Sequence, residues 1–374
     1  MKYLIDIVDK DLSSTMDVTR DYSDAELKGL INRCINNLEQ RLHISKDNNL
    51  VILQNIFNSR RKLGIIQSLL DNPEINEIMI NGTNNIFVER AGKIEVLEER
   101  FDNSEKLFNT IQTMVSKVNR VVNESNPIVD ARLDNGSRVH VVLAPIALNG
   151  PVVTIRKFSE QPLTLEKLLQ LGSITFLEKE YLEEAVRTRR NIFISGGTST
   201  GKTTFLNALS RCIPSDQRVV TIEDSAELQL NIPNVVRLET KNANTEGKGS
   251  IPMRQLIKAS LRMRPDRIIV GEVRDEAALD MLNALCTGHS GSMSTGHANS
   301  AIDMLTRLET MALWEGHVNS EAIKRQIAAG INIIVHLTRD ENLKRFVSEI
   351  VEIIDYSDSK FKLSTIFKDS KKVN

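Results

Sequence analysis

The run Gly196-Gly197-Thr198-Ser199-Thr200-Gly201-Lys202-Thr203 fits the pattern G-x-x-x-x-G-K-[ST]. Glycines in a turn let several backbone N–H groups converge on one point. A helix starting there adds partial positive charge. At this spacing Lys202 reaches the β- and γ-phosphates of a nucleoside triphosphate, and the Thr203 hydroxyl ligates Mg²⁺. Thr204 continues the loop into the helix. The flanks suit this chemistry: Asn191-Ile192-Phe193-Ile194-Ser195 is a short apolar strand, and Thr204 to Leu209 reads as a helix. ATP and Mg²⁺ are the expected cofactors.

Three further segments read as strand ends carrying reactive groups. Ile268-Ile269-Val270-Gly271-Glu272 is an apolar strand that closes on a carboxylate. The strand beside a phosphate loop ends near the γ-phosphate, where Glu272 would orient water and help hold the Mg²⁺ shell. An Asp usually closes this strand; here the closing pair is Gly-Glu. Thr221-Ile222-Glu223-Asp224 ends in the same way. Glu223 or Asp224 would position water or Mg²⁺, or else Asp224 or Ser225 caps a helix. Thus Thr203, Glu223 and Glu272 are the candidate metal ligands, partly through water. Ser294-Thr295-Gly296-His297 carries an imidazole that can donate to a γ-phosphate and report its loss.

Arg132, Arg138 and Arg156 lie on strands earlier in the chain. A guanidinium matches a phosphate bidentately, so these residues would clamp the polyphosphate if their domain folds over it. The alternative is strand-surface arginines in salt bridges. Arg262, Arg264 and Arg274 are similar candidates near the Gly-Glu strand.

The elements that must position these groups follow from periodicity. Residues 1 to about 22 read as a flexible lead. Ser23-Asp24-Ala25-Glu26 is a capping box, and Leu27, Leu30, Ile31, Cys34, Ile35 and Leu38 follow at helical spacing. Further helices are expected from about Ser45 to Arg61 and from Gly64 to Leu70. A marginal helical bundle therefore opens the chain (1–62). Strands then take over, with turns at Asn81-Gly82, Ala91-Gly92 and Asp134-Asn135-Gly136. This gives a mixed α/β domain (63–158). Gln161-Pro162 marks a linker. From Asn191 strands and helices alternate, which implies a parallel, doubly wound sheet (159–374) with ligands at the carboxyl ends of its strands. The segments Ile331 to Leu337, Ser348 to Ile354 and Phe361 to Ile366 read as antiparallel additions. The polar loop from Lys241 to Ser250 reads as mobile.

Bulk properties bound the rest. The 374 residues allow about two to three domains. Hydrophobic content of 41% is globular, and a net charge of −1 with 26% charged residues gives a mixed surface without a basic excess for nucleic acid. The basic clusters Arg60-Arg61-Lys62 and Arg187 to Arg190 read as helix ends. Cys34, Cys212 and Cys286 lie too far apart for a zinc site and suggest a reducing compartment. No signal-peptide core and no run of about eighteen apolar residues is present. A cytoplasmic protein, free or docked on the cytosolic face of the membrane, is expected.

Taken in order, these strings resemble the secretion-ATPase superfamily, and in particular the CpaF/TadA-type ATPases of tight-adherence (Flp) pili. They are Glu77 to Gly82; Asp130-Ala131-Arg132-Leu133; Gly136-Ser137-Arg138-Val139; Thr154 to Phe158; Gly196 to Thr204; Thr221 to Asp224; Arg262 to Asp266; Val270 to Arg274; and Ser294 to Ser300. The resemblance spans about Leu69 to Leu313. It implies a RecA-like P-loop domain preceded by a PAS-like α/β domain, in a hexameric ring with nucleotide between lobes. It places the Asp box on Thr221 to Asp224, the Walker B strand on Ile268 to Glu272 with Glu272 catalytic, and the His box on Thr295 to His297. Its arginines fall on Arg138 and Arg156, with Arg132 beside them. Many relatives carry Gly where Ser199 stands, a change expected to matter little. The implied function is a motor for pilus assembly or retraction, working on an inner-membrane platform protein. The alternatives are a conjugative ATPase moving DNA or protein, and a regulatory nucleotide switch.

Overall fold

The computed structural model describes residues 1–17, 20–42, 46–90, 92–118, 120–158, 162–241, 243, 248–314, 316, 318–369 and 371–372. The chain divides into two compact units, Met1–Ser159 and Glu160–Asn374.

The first unit opens with α1 (Lys2–Thr15), α2 (Asp24–Leu42), α3 (Lys46–Arg61) and α4 (Ile65–Asp71). The capping box forms as expected: Ser23 N donates to Glu26 Oε2 at 2.8 Å, and Glu26 N donates to Ser23 Oγ at 3.3 Å. Leu27, Ile31 and Ile35 repeat every four residues and are buried against Ile52 and Ile56 of α3. The expected flexible lead is instead largely helix α1. Its Val8 and Leu12 are fully buried in the same cluster, and Arg60 of α3 bonds Asp9 at 2.9 Å. Leu4 and Ile5 pack against the same cluster, and so short a helix is stable only because α2 and α3 give its apolar face somewhere to bury.

A six-stranded sheet follows, built from β1 (Ile75–Asn81), β2 (Asn85–Arg90), β3 (Lys93–Val96), β4 (Ile128–Arg132), β5 (Arg138–Val142) and β6 (Val152–Arg156), in the order β3-β2-β1-β6-β5-β4. Every pairing is antiparallel. Alternation assigns the faces. Ile78, Ile80, Ile86, Val88, Val139, Val141, Val153 and Ile155 are buried, together with Leu107, Ile111 and Met114 of α5 (Ser104–Ser116). Ala91 of the expected turn lies outside the described residues.

The second unit contains α6 (Leu165–Gln170), α7 (Phe176–Arg187), β7 (Ile192–Gly196), α8 (Lys202–Ser210), β8 (Val219–Glu223), β9 (Val235–Glu239), α9 (Met253–Ser260), β10 (Arg267–Val270), α10 (Ala277–Cys286), β11 (Met293–His297), α11 (Ala301–Leu313), α12 (Ser320–Gly330), β12 (Ile333–Arg339), β13 (Arg345–Ser357), β14 (Lys360–Lys368) and β15 (Lys371–Lys372). The sheet order is β15-β14-β13-β12-β7-β11-β10-β8-β9. The strands from β12 to β9 in that order pair in parallel, as the alternation predicts. The apolar runs of β12, β7, β11, β10 and β8 are buried on both faces, because helices cover both, while edge strand β9 is only partly buried.

Two expectations change here. The strand beside the phosphate-loop strand is not β10: β11 stands between β7 and β10. The tail is not wholly antiparallel either. Helix α12 carries the chain across, so β12 joins β7 in parallel, and only β13, β14 and β15 run antiparallel. A parallel neighbour needs a crossover, and α12 supplies it.

Gln161 of the linker and residues 242 and 244–247 of the polar loop lie outside the described residues; Lys241 and Ile251 pair in a single antiparallel bridge. The two basic clusters are engaged in ion pairs, Arg187 with Glu184, Arg190 with Glu352, and Arg60 with Asp9.

Truncating Leu12 to Ala should cost about 2–5 kcal/mol of local stability. Hydrogen exchange should show lost protection across α1 to α3 and unchanged protection in β7 to β12. An unprotected α1 in the unmodified protein would contradict the packed helix.

Candidate active site

Six parallel strands point their carboxyl ends to one edge of the second unit. Four of those ends carry the predicted groups. Strand β7 delivers Gly196, where an added Cβ would stand 2.6 Å from the Leu337 carbonyl oxygen and 2.7 Å from Thr200 Oγ1. The loop Gly196, Gly197, Thr198, Ser199, Thr200, Gly201 then turns into α8. Gly201 caps α8 at φ 90°, and Ser199 sits at φ 59°. A non-glycine residue in this left-handed region is strained by about 1–2 kcal/mol. The substitution at Ser199 is therefore not neutral for the backbone, contrary to expectation. Thr203 and Thr204 occupy the first turn of α8, with Thr204 exposed.

Lys202 is buried, and its ammonium donates to the Gly196 carbonyl at 3.1 Å and the Gly197 carbonyl at 2.8 Å. It also lies 3.2 Å from His297 Nδ1. In the β7–β11 register His297 is directly opposite Gly196. The other ring nitrogen, Nε2, stands 2.9 Å from Glu272 Oε1. An ammonium can only donate, so Nδ1 accepts and Nε2 carries the proton. Burial pushes the His297 pKa down, and the Lys202 charge adds to this. The neutral ring that results is the form this geometry requires.

Glu272 follows β10 and is half-buried. Arg274 donates to its Oε2 at 2.7 Å and reaches Asp224 Oδ2 at 3.9 Å. Burial raises the Glu272 pKa, but the Arg274 hydrogen bond and charge, then His297 and Lys202, more than offset it, so the carboxyl sits below its ordinary value. Glu223 ends β8, buried, and its Oε1 accepts from Glu227 N at 2.9 Å and Leu228 N at 3.0 Å. Gly271 explains the Gly-Glu closure: a Cβ there would fall 3.0 Å from Glu223 Cγ. Gly296 does the same on the adjacent strand, since its Cβ would meet Phe193 Cε1 at 3.0 Å and Met304 Cε at 2.9 Å. The β10 and β11 tips are joined by Thr295 Oγ1 donating to the Gly271 carbonyl at 2.8 Å.

The structure thus brings Lys202, His297, Glu272, Arg274 and Asp224 into one chain of contacts, with Glu223 packed against Gly271. Arg262 and Arg264 do not join them. They precede β10, at the opposite edge of the sheet. Arg132, Arg138 and Arg156 belong to the first unit. There Arg132 pairs with Arg138 and Arg138 with Arg156 across β4, β5 and β6, so all three form one rank on the face opposite the apolar core. Glu77 continues the rank on β1. Three guanidinium groups and the Glu77 carboxylate thus share one face of the sheet.

Sequence reasoning missed two supports of the loop. His336 of β12 is buried, with Nδ1 3.1 Å from Ser195 Oγ. Arg345 of β13 donates from Nε to the Ser199 carbonyl at 3.0 Å. No local motif marks either; only the parallel β7–β12 pairing brings them to the loop.

A complete phosphate loop at the carboxyl edge of this sheet defines a RecA-like P-loop ATPase. The model of the family described as type II/IV secretion system protein matches residues 59–363, and the chain belongs to that family. It is 32% identical over 293 residues to a putative conjugal transfer protein of Mycobacterium tuberculosis, covering 77% of this chain and 83% of that one. It is also 32% identical over 311 residues to the type IV secretion system protein VirB11 of Brucella suis, covering 75% and 86%. Among solved structures, the fold is similar to the Legionella pneumophila ATPase DotB, with TM-score 0.54, 21% identity and coverage of 75% and 76%. It is similar as well to the pilus retraction motor PilT with bound ADP, with TM-score 0.54, 18% identity and coverage of 81% and 82%. Among the described residues no helix is long and apolar enough to cross a membrane.

To serve as a base Glu272 would have to be ionised, and Arg274 is the largest of the influences that lower its pKa. In Arg274→Ala the acid limb of the pH–rate profile for ATP hydrolysis should therefore move to higher pH. An unmoved limb would contradict this assignment.

Proposed function

We propose that the protein is a hexameric, Mg²⁺-dependent ATPase motor that powers assembly or retraction of a tight-adherence pilus through an inner-membrane platform protein. It would work in the cytoplasm, at the periphery of the membrane. The observation that carries the enzymatic part is the contact chain Lys202–His297–Glu272–Arg274 at the carboxyl edge of the sheet. In this reading Glu272 takes a proton from water as the water oxygen bonds the γ-phosphorus. The bond from that phosphorus to the β–γ bridging oxygen breaks, and ADP and phosphate leave. Lys202 exchanges its own loop carbonyls for phosphate oxygens. His297 then loses one partner, so the contact chain registers whether the γ-phosphate is present.

Among the described residues no group of three or more His, Cys, Asp or Glu side chains is arranged to hold a metal by itself. Mg²⁺ keeps several waters and is shared with substrate phosphates. Thr203 would be its direct ligand, with Glu223 and Glu272 acting through water, and the ion would neutralise phosphate charge. Arg138 and Arg156, with Arg132 in the same rank, are assigned to the phosphates as arginine fingers.

The conjugal-transfer reading is favoured by the names of two relatives described as conjugal transfer proteins. A net charge of −1 argues against direct handling of DNA. Under the pilus reading, hydrolysis is stimulated by a pilus platform protein and not by DNA; the reverse pattern would favour conjugal transfer.

Glu272→Gln should bind ADP normally and lose turnover by roughly a hundredfold or more. Full turnover would remove Glu272 from catalysis. Arg138→Ala and Arg156→Ala should each lower kcat by about a thousandfold while the protein stays folded by circular dichroism. Unchanged kcat in both would return these arginines to a structural role.

A further inference from the structure

Beside the phosphate loop lies a cavity of about 250 Å³. One wall is apolar, with Leu163, Leu168, Leu337 and Phe346 among its residues. The phosphate loop and α8 supply Thr200, Gly201 and Thr204, and the β12–β13 turn supplies Lys344 and Arg345. Among the described residues no carboxylate lines it. An apolar wall meeting two cations without an acid suits a ligand that is apolar at one end and anionic at the other.

Arg345 is the better placed of the two cations. Its Nε donates to the Ser199 carbonyl at 3.0 Å. Its Cδ is so close to Gly201 that a Cβ there would stand 3.5 Å away. The side chain is thus fixed against both ends of the loop's second half, while it lines the cavity. Only one hydrogen bond is made by its guanidinium among the described residues. A guanidinium carries five N–H donors in a rigid fork, so its terminal nitrogens remain available.

We propose that Arg345 is a second phosphate clamp, which binds the phosphate nearest the ribose while its Nε holds the strained Ser199 peptide in place. This rests on the nucleotide reading above and adds a residue to it. Lys202 lies on the Gly196, Gly197 and His297 side of the loop, whereas Arg345 lines the cavity together with Thr200, Gly201 and Thr204. The arrangement also couples loop shape to occupancy. The fork that grips the ligand is the one that holds Ser199 at φ 59°. The residue acts in the same unit as the phosphate loop, unlike the arginine rank of the first unit.

The test is nucleotide affinity of the full chain, read by ADP titration and by KM against kcat for ATP. Arg345→Ala should raise the Kd for ADP and the KM for ATP by about tenfold or more, as expected for loss of a charge-assisted hydrogen bond, with kcat changed much less. Arg345→Gln keeps a donor for the Ser199 carbonyl but no charge, so it should retain the melting temperature of the unmodified protein and still lose affinity. Arg345→Lys should recover some of it. Wild-type affinity in the Gln variant would overturn the clamp and leave only loop support. Failure of the unmodified protein to bind ADP would instead refute the nucleotide reading itself.

Discussion

A buried ammonium cannot be left without acceptors, and Lys202 finds them in its own loop and in the neighbouring strand. The Gly196 and Gly197 carbonyls and His297 Nδ1 receive it. Every other feature of the site follows from keeping that ammonium paired but exchangeable. The imidazole stays neutral because a second proton would face Lys202. Its Nε2 lies 2.9 Å from Glu272 Oε1, and Arg274 lies on the other side of that carboxylate and favours its ionised form. Positive and negative groups thus alternate along the strand tips. A triphosphate that captures Lys202 disturbs each of them in turn.

Such a chain needs strand tips that approach closely. Two glycines permit it. Gly271 admits the Glu223 side chain, and Gly296 admits Phe193 and Met304. The inserted position of β11 matters equally. It places an imidazole, not a carboxylate, directly beside the phosphate loop, and Glu272 is reached through it. The order of strands therefore turns a simple carboxylate-and-lysine site into one with a reporter between the two. On the other side of β7, β12 and β13 hold the loop from Ser195 to Ser199 through His336, the Leu337 carbonyl and Arg345.

Much of this was legible in the sequence where the determinants are local. The phosphate loop, the capping box at Ser23, and the alternation of strands and helices each depend on neighbours within a few residues. Glu223, Glu272 and His297 could be placed at strand ends for the same reason. What was not legible depends on pairing at long range. The packed α1 needed partners from α2 and α3. The parallel placement of β12 needed the crossover α12, and without it Arg345 and His336 have no visible link to the loop. The three arginines were each identifiable, but their alignment in one rank is a matter of register across β4, β5 and β6. Strain at Ser199 was also hidden, because a serine in the loop reads as permissive until its φ is known.

The central claim is that a neutral His297 bridges Lys202 and Glu272. Nitrogen-15 NMR of selectively histidine-labelled protein near neutral pH reads this directly, since the chain has 6 histidines. The account predicts that the His297 ring is neutral, protonated at Nε2 and accepting at Nδ1, and that the Nδ1 signal shifts when a non-hydrolysable triphosphate draws Lys202 away. A charged imidazolium, or a proton on Nδ1, would contradict it.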